Sequence, residues 1–253
     1  PLVQIPDMQT GAFGTLPSLA DVNGELAVLY STKEGRVALQ IGNQPKQLVD
    51  ATARIQKGGS FFKLWPSEKT LYAGWWSHQS GKNVYLTSSV DGGKTFAPVS
   101  MVNDVNDVLP PFTLTRGPQG VLGMTYQDER APRFQAYFNR STDNGLSWPR
   151  PDQRMDSPPS GGRSSDVHEP QTVESGSSWV SAWTDNIQVD GKMEYRIISR
   201  RTDNAGLTWS PPQILYSSDH HISSLVVRAL DNRLVVAADE LNKGIFGLTS
   251  TDY

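Results

Sequence analysis

The 253-residue chain contains no cysteine. Disulfides, thiolate metal centres and a cysteine nucleophile are therefore excluded. No apolar run approaches the length of a membrane span, and no long stretch keeps a helical period. There is no block of like charge and no low-complexity segment. The formal net charge is −3 and the pI is near 5.8, which lacks the basic footprint of a nucleic-acid binder. The chain begins at Pro1 with no initiator Met and no signal-like stretch. The expectation is a mature extracellular or periplasmic product whose targeting peptide has been removed.

What the chain does have is turns. Its 22 glycines and 17 prolines are spread along the whole length, a pattern of many short strands. An internal repeat organises them. Ser89-Val90-Asp91-Gly92-Gly93-Lys94-Thr95-Phe96 returns as Ser141-Thr142-Asp143-Asn144-Gly145-Leu146-Ser147-Trp148. A third copy, Thr202-Asp203-Asn204-Ala205-Gly206-Leu207-Thr208-Trp209, reads as carrying one inserted residue before its Gly, and a fourth begins at Ser250-Thr251-Asp252. The aspartates Asp91, Asp143, Asp203 and Asp252 recur every 49 to 60 residues, a blade-sized period. Two β-rich runs precede each copy, as in Leu71–Trp75 and Val84–Leu86. Glycine supplies positive φ in a tight turn and a short acidic side chain caps its N–H groups. The octapeptide therefore reads as a staple between the third and fourth strands of a blade.

The octapeptide resembles the Asp-box (BNR) repeat of the sialidase superfamily, and the resemblance spans nearly the whole chain. It implies a β-propeller of four-stranded blades. Units near 13–50, 58–103, 108–155, 167–217 and 222–253 predict a single all-β domain of five blades. The N-terminal segment 1–6 is expected to complete the last blade. Family sialidases have six blades, so a six-bladed fragment is the rival reading. The resemblance also implies a Tyr-Glu pair, an Asp acid/base and three arginines gripping a substrate carboxylate. The first of those arginines belongs to an Arg-Ile-Pro motif. The matching stretch here is Thr15-Leu16-Pro17-Ser18-Leu19, with Thr15 where Arg belongs.

In a propeller the loops into the innermost strands and the loops between second and third strands share the ligand-binding face. All four histidines fall in such loops: His78, His168, His220 and His221. Asp128, Asp166 and Glu169 are the candidate catalytic carboxylates, with Asp185 beside them. Arg54, Arg130, His78, His168 and His221 are the candidate substrate contacts. Arg163 and Arg228 are further sources of positive charge. His168, Glu169, His220 and His221 are candidates for a divalent metal ion, since imidazole suits zinc, copper, iron or nickel. Trp75, Trp76 and Trp183 are either sugar-stacking platforms or core. The polar stretch 156–166 is either a flap or a surface loop.

Two functions stay open. One is a sialidase-like protein that binds or hydrolyses a carbohydrate or glycoconjugate. The other is a non-catalytic binding or scaffold propeller, with or without the metal, acting with other protein subunits.

Overall fold

The computed structural model describes residues 5–8, 15–55, 60–67, 70–78, 81–131, 133–156, 165–230 and 233–250. Apart from one 3-10 turn at Pro118–Gly120, their regular structure is strand. The fold is an all-β propeller of five antiparallel sheets, each running from first strand to last in chain order. Sheet 1 holds β2 (Ser18–Val22), β3 (Glu25–Ser31), β4 (Val37–Ile41) and β5 (Gln47–Asp50). Sheet 2 holds β6 (Ser60–Pro66), β7 (Leu71–Ser77), β8 (Asn83–Ser89) and β9 (Ser100–Met101), and the short β1 (Thr15–Leu16) adds to β6 in parallel. Sheet 3 holds β10 (Val108–Arg116), β11 (Leu122–Asp128), β12 (Gln135–Ser141) and β13 (Gln153–Arg154). Sheet 4 holds β14 (Ser165–Ser175), β15 (Ser178–Val189), β16 (Lys192–Thr202) and β17 (Gln213–Ser218). Sheet 5 has three strands, β18 (Ile222–Leu230), β19 (Arg233–Glu240) and β20 (Gly244–Ser250).

The chain forms two compact units. Unit 1 is Pro1–Asn106 with Asp143–Trp148, and unit 2 is Asp107–Thr142 with Pro149–Tyr253. The core of unit 1 lies between sheets 1 and 2, with Leu29, Leu39, Phe62 and Trp75 at its centre. Unit 2 has two cores. Phe138, Trp179, Trp183 and Trp209 fill the space between sheets 3 and 4. Ile197, Leu225, Val227 and Val236 fill the space between sheets 4 and 5. The second strands β7 and β11 are covered on both faces, and all seven residues of each are buried. Apart from Gln127 and Asp128 at the end of β11, their sequences are accordingly apolar or small, without the alternation of a one-sided strand. β19, with Leu234, Val236 and Ala238 buried in alternation, is covered mainly on one face.

The repeated octapeptides are turns closed by their own side chains. Asp91 Oδ1 accepts the amides of Lys94 and Thr95 at 3.0 and 2.9 Å, and Oδ2 accepts the Thr95 hydroxyl at 2.6 Å. Ser89 Oγ donates to Asp91 Oδ1 at 2.7 Å and accepts Gly93 N–H at 2.8 Å. These bonds, led by the one from the Thr95 hydroxyl, hold the Asp91 carboxyl far below its ordinary value. Asp143 takes the same bonds from Ser147.

The third copy corrects the sequence reading, because no residue is inserted. Asn204 occupies the aspartate position, its Oδ1 accepting Thr208 N–H at 2.9 Å and its Nδ2 donating to the Thr208 hydroxyl at 2.8 Å. Asp203 instead accepts from Ser178 Oγ at 2.5 Å and from Arg201 Nε at 2.8 Å. An Asn amide supplies both the acceptor and the donor that the turn needs, so it substitutes for the carboxylate.

The turns do more than join strands three and four, because each docks on the preceding sheet. Trp148 Nε1 donates to Ser100 Oγ at 3.1 Å within unit 1. Within unit 2, Arg140 Nε donates to Ala205 O at 2.7 Å, and Trp209 meets the Phe138 ring edge-on at 5.2 Å. Gly206, at φ +82°, could not be replaced there, since a Cβ would lie 2.4 Å from Phe138 Cζ. Residues 1–4 of the N-terminal segment expected to complete sheet 5, the fourth octapeptide beyond Ser250, Arg163 and most of the 156–166 stretch lie outside the described residues.

Candidate functional site in unit 2

Strand register places the beginnings of first strands beside the ends of second strands. Val108 faces Asp128, Val167 faces Asp185, and Ile222 faces Glu240. The octapeptide turns follow the far ends of the third strands, at Ser141 and Thr202, so they lie at the opposite end of their sheets.

One set of carboxylates here is a repeat feature. Asp128, Asp185 and Glu240 occupy the same register position in three successive sheets, and all are buried. A cation answers each. Arg130 donates through its backbone N–H and Nε to Asp128 Oδ1 at 2.7 and 2.8 Å, and through Nη2 to Oδ2 at 2.8 Å. The same Nη2 reaches Asp152 at 3.1 Å, and the guanidinium lies 3.9 Å from the Tyr137 ring centroid. Burial opposes the Arg130 charge, but the bonds and charge of Asp128 outweigh it, and the pKa is raised. Arg196 stands across from Asp185, whose charge raises its pKa after the larger effect of a forked bond to Glu194. Glu240 accepts from Lys243 Nζ at 2.7 Å, from Tyr216 Oη at 2.8 Å and from Ser218 Oγ. Lys243, then Ser218, hold its pKa down to about 2. Asp128, expected as a catalytic carboxylate, and Arg130, expected as a substrate contact, are thus bound to each other and to the loop between β11 and β12.

The second set lies at the start of β14 and behaves differently. Each first strand of unit 2 slips register once near its beginning, at Leu109/Phe112, His168/Gln171 and Ser223/Val226. Prolines fill the slip in β10, but in β14 and β18 the residues Glu169 and Ser224 take φ +52° and +55°. A side chain other than glycine in this region carries strain on the order of 1–3 kcal/mol and persists only where neighbours hold it. Glu169 is held by its own N–H, which donates to Gln127 Oε1 at 3.3 Å, and by its Oε2, which accepts Leu225 N–H at 2.6 Å. Next to it His168 is half-buried, edge-on to Phe134 at 5.3 Å. Burial pushes its pKa down, assisted by His221 and opposed by Asp166 and Glu169. His221 is exposed and meets the Tyr195 ring edge-on at 5.2 Å. Asp166 accepts Phe134 N–H at 3.0 Å and pairs with Arg133 at 2.9 Å.

The structure therefore brings Asp166, Glu169 and His221 close enough to His168 for each to act on its charge. Arg133, Phe134 and Tyr195 were not singled out from sequence. Arg133 and Phe134 follow Arg130 in the same polar loop, which was the available signal, whereas Tyr195 reads as an ordinary strand residue. Among the described residues no three His, Asp or Glu side chains are grouped to hold a metal ion. His220 Nδ1 pairs with Asp219 at 2.7 Å.

The remaining candidates lie in unit 1, in the core, or, for Arg228, on the exposed face of β18. Arg54 is exposed, beside a small cavity. His78 is exposed, its ring 5.7 Å from that of Trp76. Trp75, Trp76 and Trp183 are all buried. Arg228 donates to the carbonyl of Val227 on its own strand.

No family model and no curated protein matches the sequence. Solved structures do resemble the chain. A protein of unknown function from Dyadobacter fermentans aligns over 97% of this chain and 83% of its own, with 13% identity and a TM-score of 0.59. An ulvan lyase of a new polysaccharide lyase family aligns over 95% and 70%, with 10% identity and a TM-score of 0.59. The α-L-arabinofuranosidase Arb93A from Fusarium graminearum aligns over 92% and 76%, with 12% identity and a TM-score of 0.56. At such identity the likeness is one of fold. Neither of the two named enzymes is a sialidase. No helix among the described residues is long and apolar enough to cross a membrane.

Proposed function

We propose that the chain is a glycan-acting propeller whose chemistry is carried by the start of β14 in unit 2. The observation that carries this reading is the strained, side-chain-held bulge that sets Glu169 beside a half-buried His168. Strain of this kind concentrates at functional sites, and so do perturbed titrations. A histidine with a lowered pKa is neutral near pH 7 and can accept a proton from a sugar hydroxyl or a water. Glu169 and Asp166 supply the carboxylates that a glycosidase requires. Arg133 supplies positive charge for an acidic sugar, which keeps a sialidase-like substrate within the proposal. Polymeric glycans of this kind are met outside the cytoplasm, in keeping with an exported protein.

Two of the three carboxylates expected to be catalytic, Asp128 and Asp166, are paired with arginines. This favours a second reading, glycan binding without cleavage. One experiment separates the two. Purified protein is incubated with fluorogenic sialosides, aryl arabinofuranosides and other aryl glycosides, and with acidic polysaccharides read by reducing-end release. Turnover that is lost in His168→Ala supports the enzyme. Binding of a polysaccharide without turnover supports the second reading, and neither binding nor turnover overturns both.

A further inference from the structure

Unit 1 contains a cavity of about 210 Å³ lined by Asp50, Thr52, Arg54, Trp75, Ser77 and Tyr85. Its floor is aromatic. Trp75 and Tyr85 stack with ring centroids 5.8 Å apart and planes 21° from parallel, Trp75 buried and Tyr85 half-buried. Its rim is polar and preorganised. Asp50 Oδ1 accepts the amides of Thr52 and Ala53 at 2.8 and 3.0 Å and the Thr52 hydroxyl at 2.7 Å. Arg54 Nη1 donates to the carbonyls of Thr52 and Ala53 at 3.0 and 2.9 Å. These bonds fix the rim and use one carboxylate oxygen and one guanidinium nitrogen. Asp50 Oδ2, an acceptor, and Arg54 Nη2 and Nε, donors, take no part in these bonds, and both residues line the cavity.

We infer that this cavity is a binding pocket for a single neutral sugar residue. Sugar hydroxyls both donate and accept, so they need the two kinds of partner side by side. The opposite charges of Asp50 and Arg54 cancel at the rim, and Asp50 disfavours a sugar carboxylate. Ser77 and Tyr85 add hydroxyls, and the tyrosine ring offers an apolar surface to the C–H face of a sugar. The cavity is of monosaccharide size, well below the several hundred Å³ of sites for larger ligands. The inference does not rest on the His168 site.

The test uses the full-length chain, labelled with 15N, titrated separately with D-glucose, D-galactose, L-arabinose and D-glucuronate. At least one neutral sugar should shift the amides of Thr52, Arg54 and Ser77 saturably, with affinity on the order of millimolar. Arg54→Ala and Asp50→Asn should each weaken that binding about tenfold or more while the rest of the spectrum stays in place. Tyr85→Phe, which keeps the ring, should weaken it less, and His168→Ala should leave it unchanged. Absence of saturable shifts with every neutral sugar would overturn the proposal. So would preference for glucuronate, or undiminished binding in Arg54→Ala.

Discussion

Unit 2 uses its acidic side chains in two ways at the same end of its sheets. Asp128, Asp185 and Glu240 hold matching positions on second strands, are buried, and face Arg130, Arg196 and Lys243. Asp166 and Glu169 open a first strand, are only half-buried, and sit beside a histidine whose pKa burial lowers. The first set recurs from sheet to sheet, whereas the combination of His168 with Glu169 occurs in one sheet. A feature that three successive blades repeat serves the blade. A departure confined to one blade, the His168 and Glu169 pair on a bulge that β18 shares, is where a function is to be sought.

The comparison predicts unequal costs. Asp128→Ala strips the half-buried Arg130 of its forked carboxylate partner and should lower the unfolding free energy by about 3–5 kcal/mol in urea titrations. His168→Ala, at a less enclosed position, should cost about 1 kcal/mol. A near-equal cost for the two would dissolve the distinction.

The octapeptide turns allow a finer cut. Asn204→Ala removes the acceptor and the donor that close the third turn, and by analogy with helix caps should cost about 0.5–2 kcal/mol. Asp203→Ala removes only an exposed pair with Arg201 and a bond to Ser178, and should cost less. Asn204→Asp should leave the melting temperature near that of the wild type. If Asp203→Ala proved the costlier change, the assignment of Asn204 as the closing residue would fail.

The smallest effect expected is a pH slope. Burial lowers the His168 pKa in the folded state, so the unfolded chain binds this proton more readily. The contribution of His168 to stability is therefore full above the ordinary histidine value near ~6.5 and declines as the pH falls below it. Urea midpoints measured between neutral and mildly acidic pH should fall less in His168→Gln than in the wild type. Asp91 acts in the same direction at lower pH. Its depressed carboxyl gives stability that is full above the ordinary aspartate value and is lost as the pH falls toward its own.

Much of the fold is written in the chain, because turn chemistry is local. Gly206 needs positive φ and Asp91 caps its own turn, and both requirements show in eight residues. The third turn was misread because Asp203 stands one residue from the functional position, and only the hydrogen bonds reveal that Asn204 takes the aspartate's role. The docking of each turn on the sheet before it was illegible, since Phe138 and Trp209 are brought together by packing and not by spacing. The site was half legible. Polar loops at the right end of the strands pointed to Asp128, Asp166, His168 and Glu169 alike. Sequence could not tell a carboxylate locked by Arg130 from one beside a half-buried histidine, because that difference lies in cross-strand register and burial.

The central claim is that the start of β14, and not the ring of second-strand carboxylates, carries the chemistry. Its most direct test is kcat/KM of His168→Ala and wild type on a glycan that the wild type cleaves, with melting temperatures measured in parallel. The account predicts a loss of about 100-fold or more with the melting temperature within a few degrees of the wild type. Undiminished turnover in His168→Ala, or a loss that merely tracks unfolding, would contradict it.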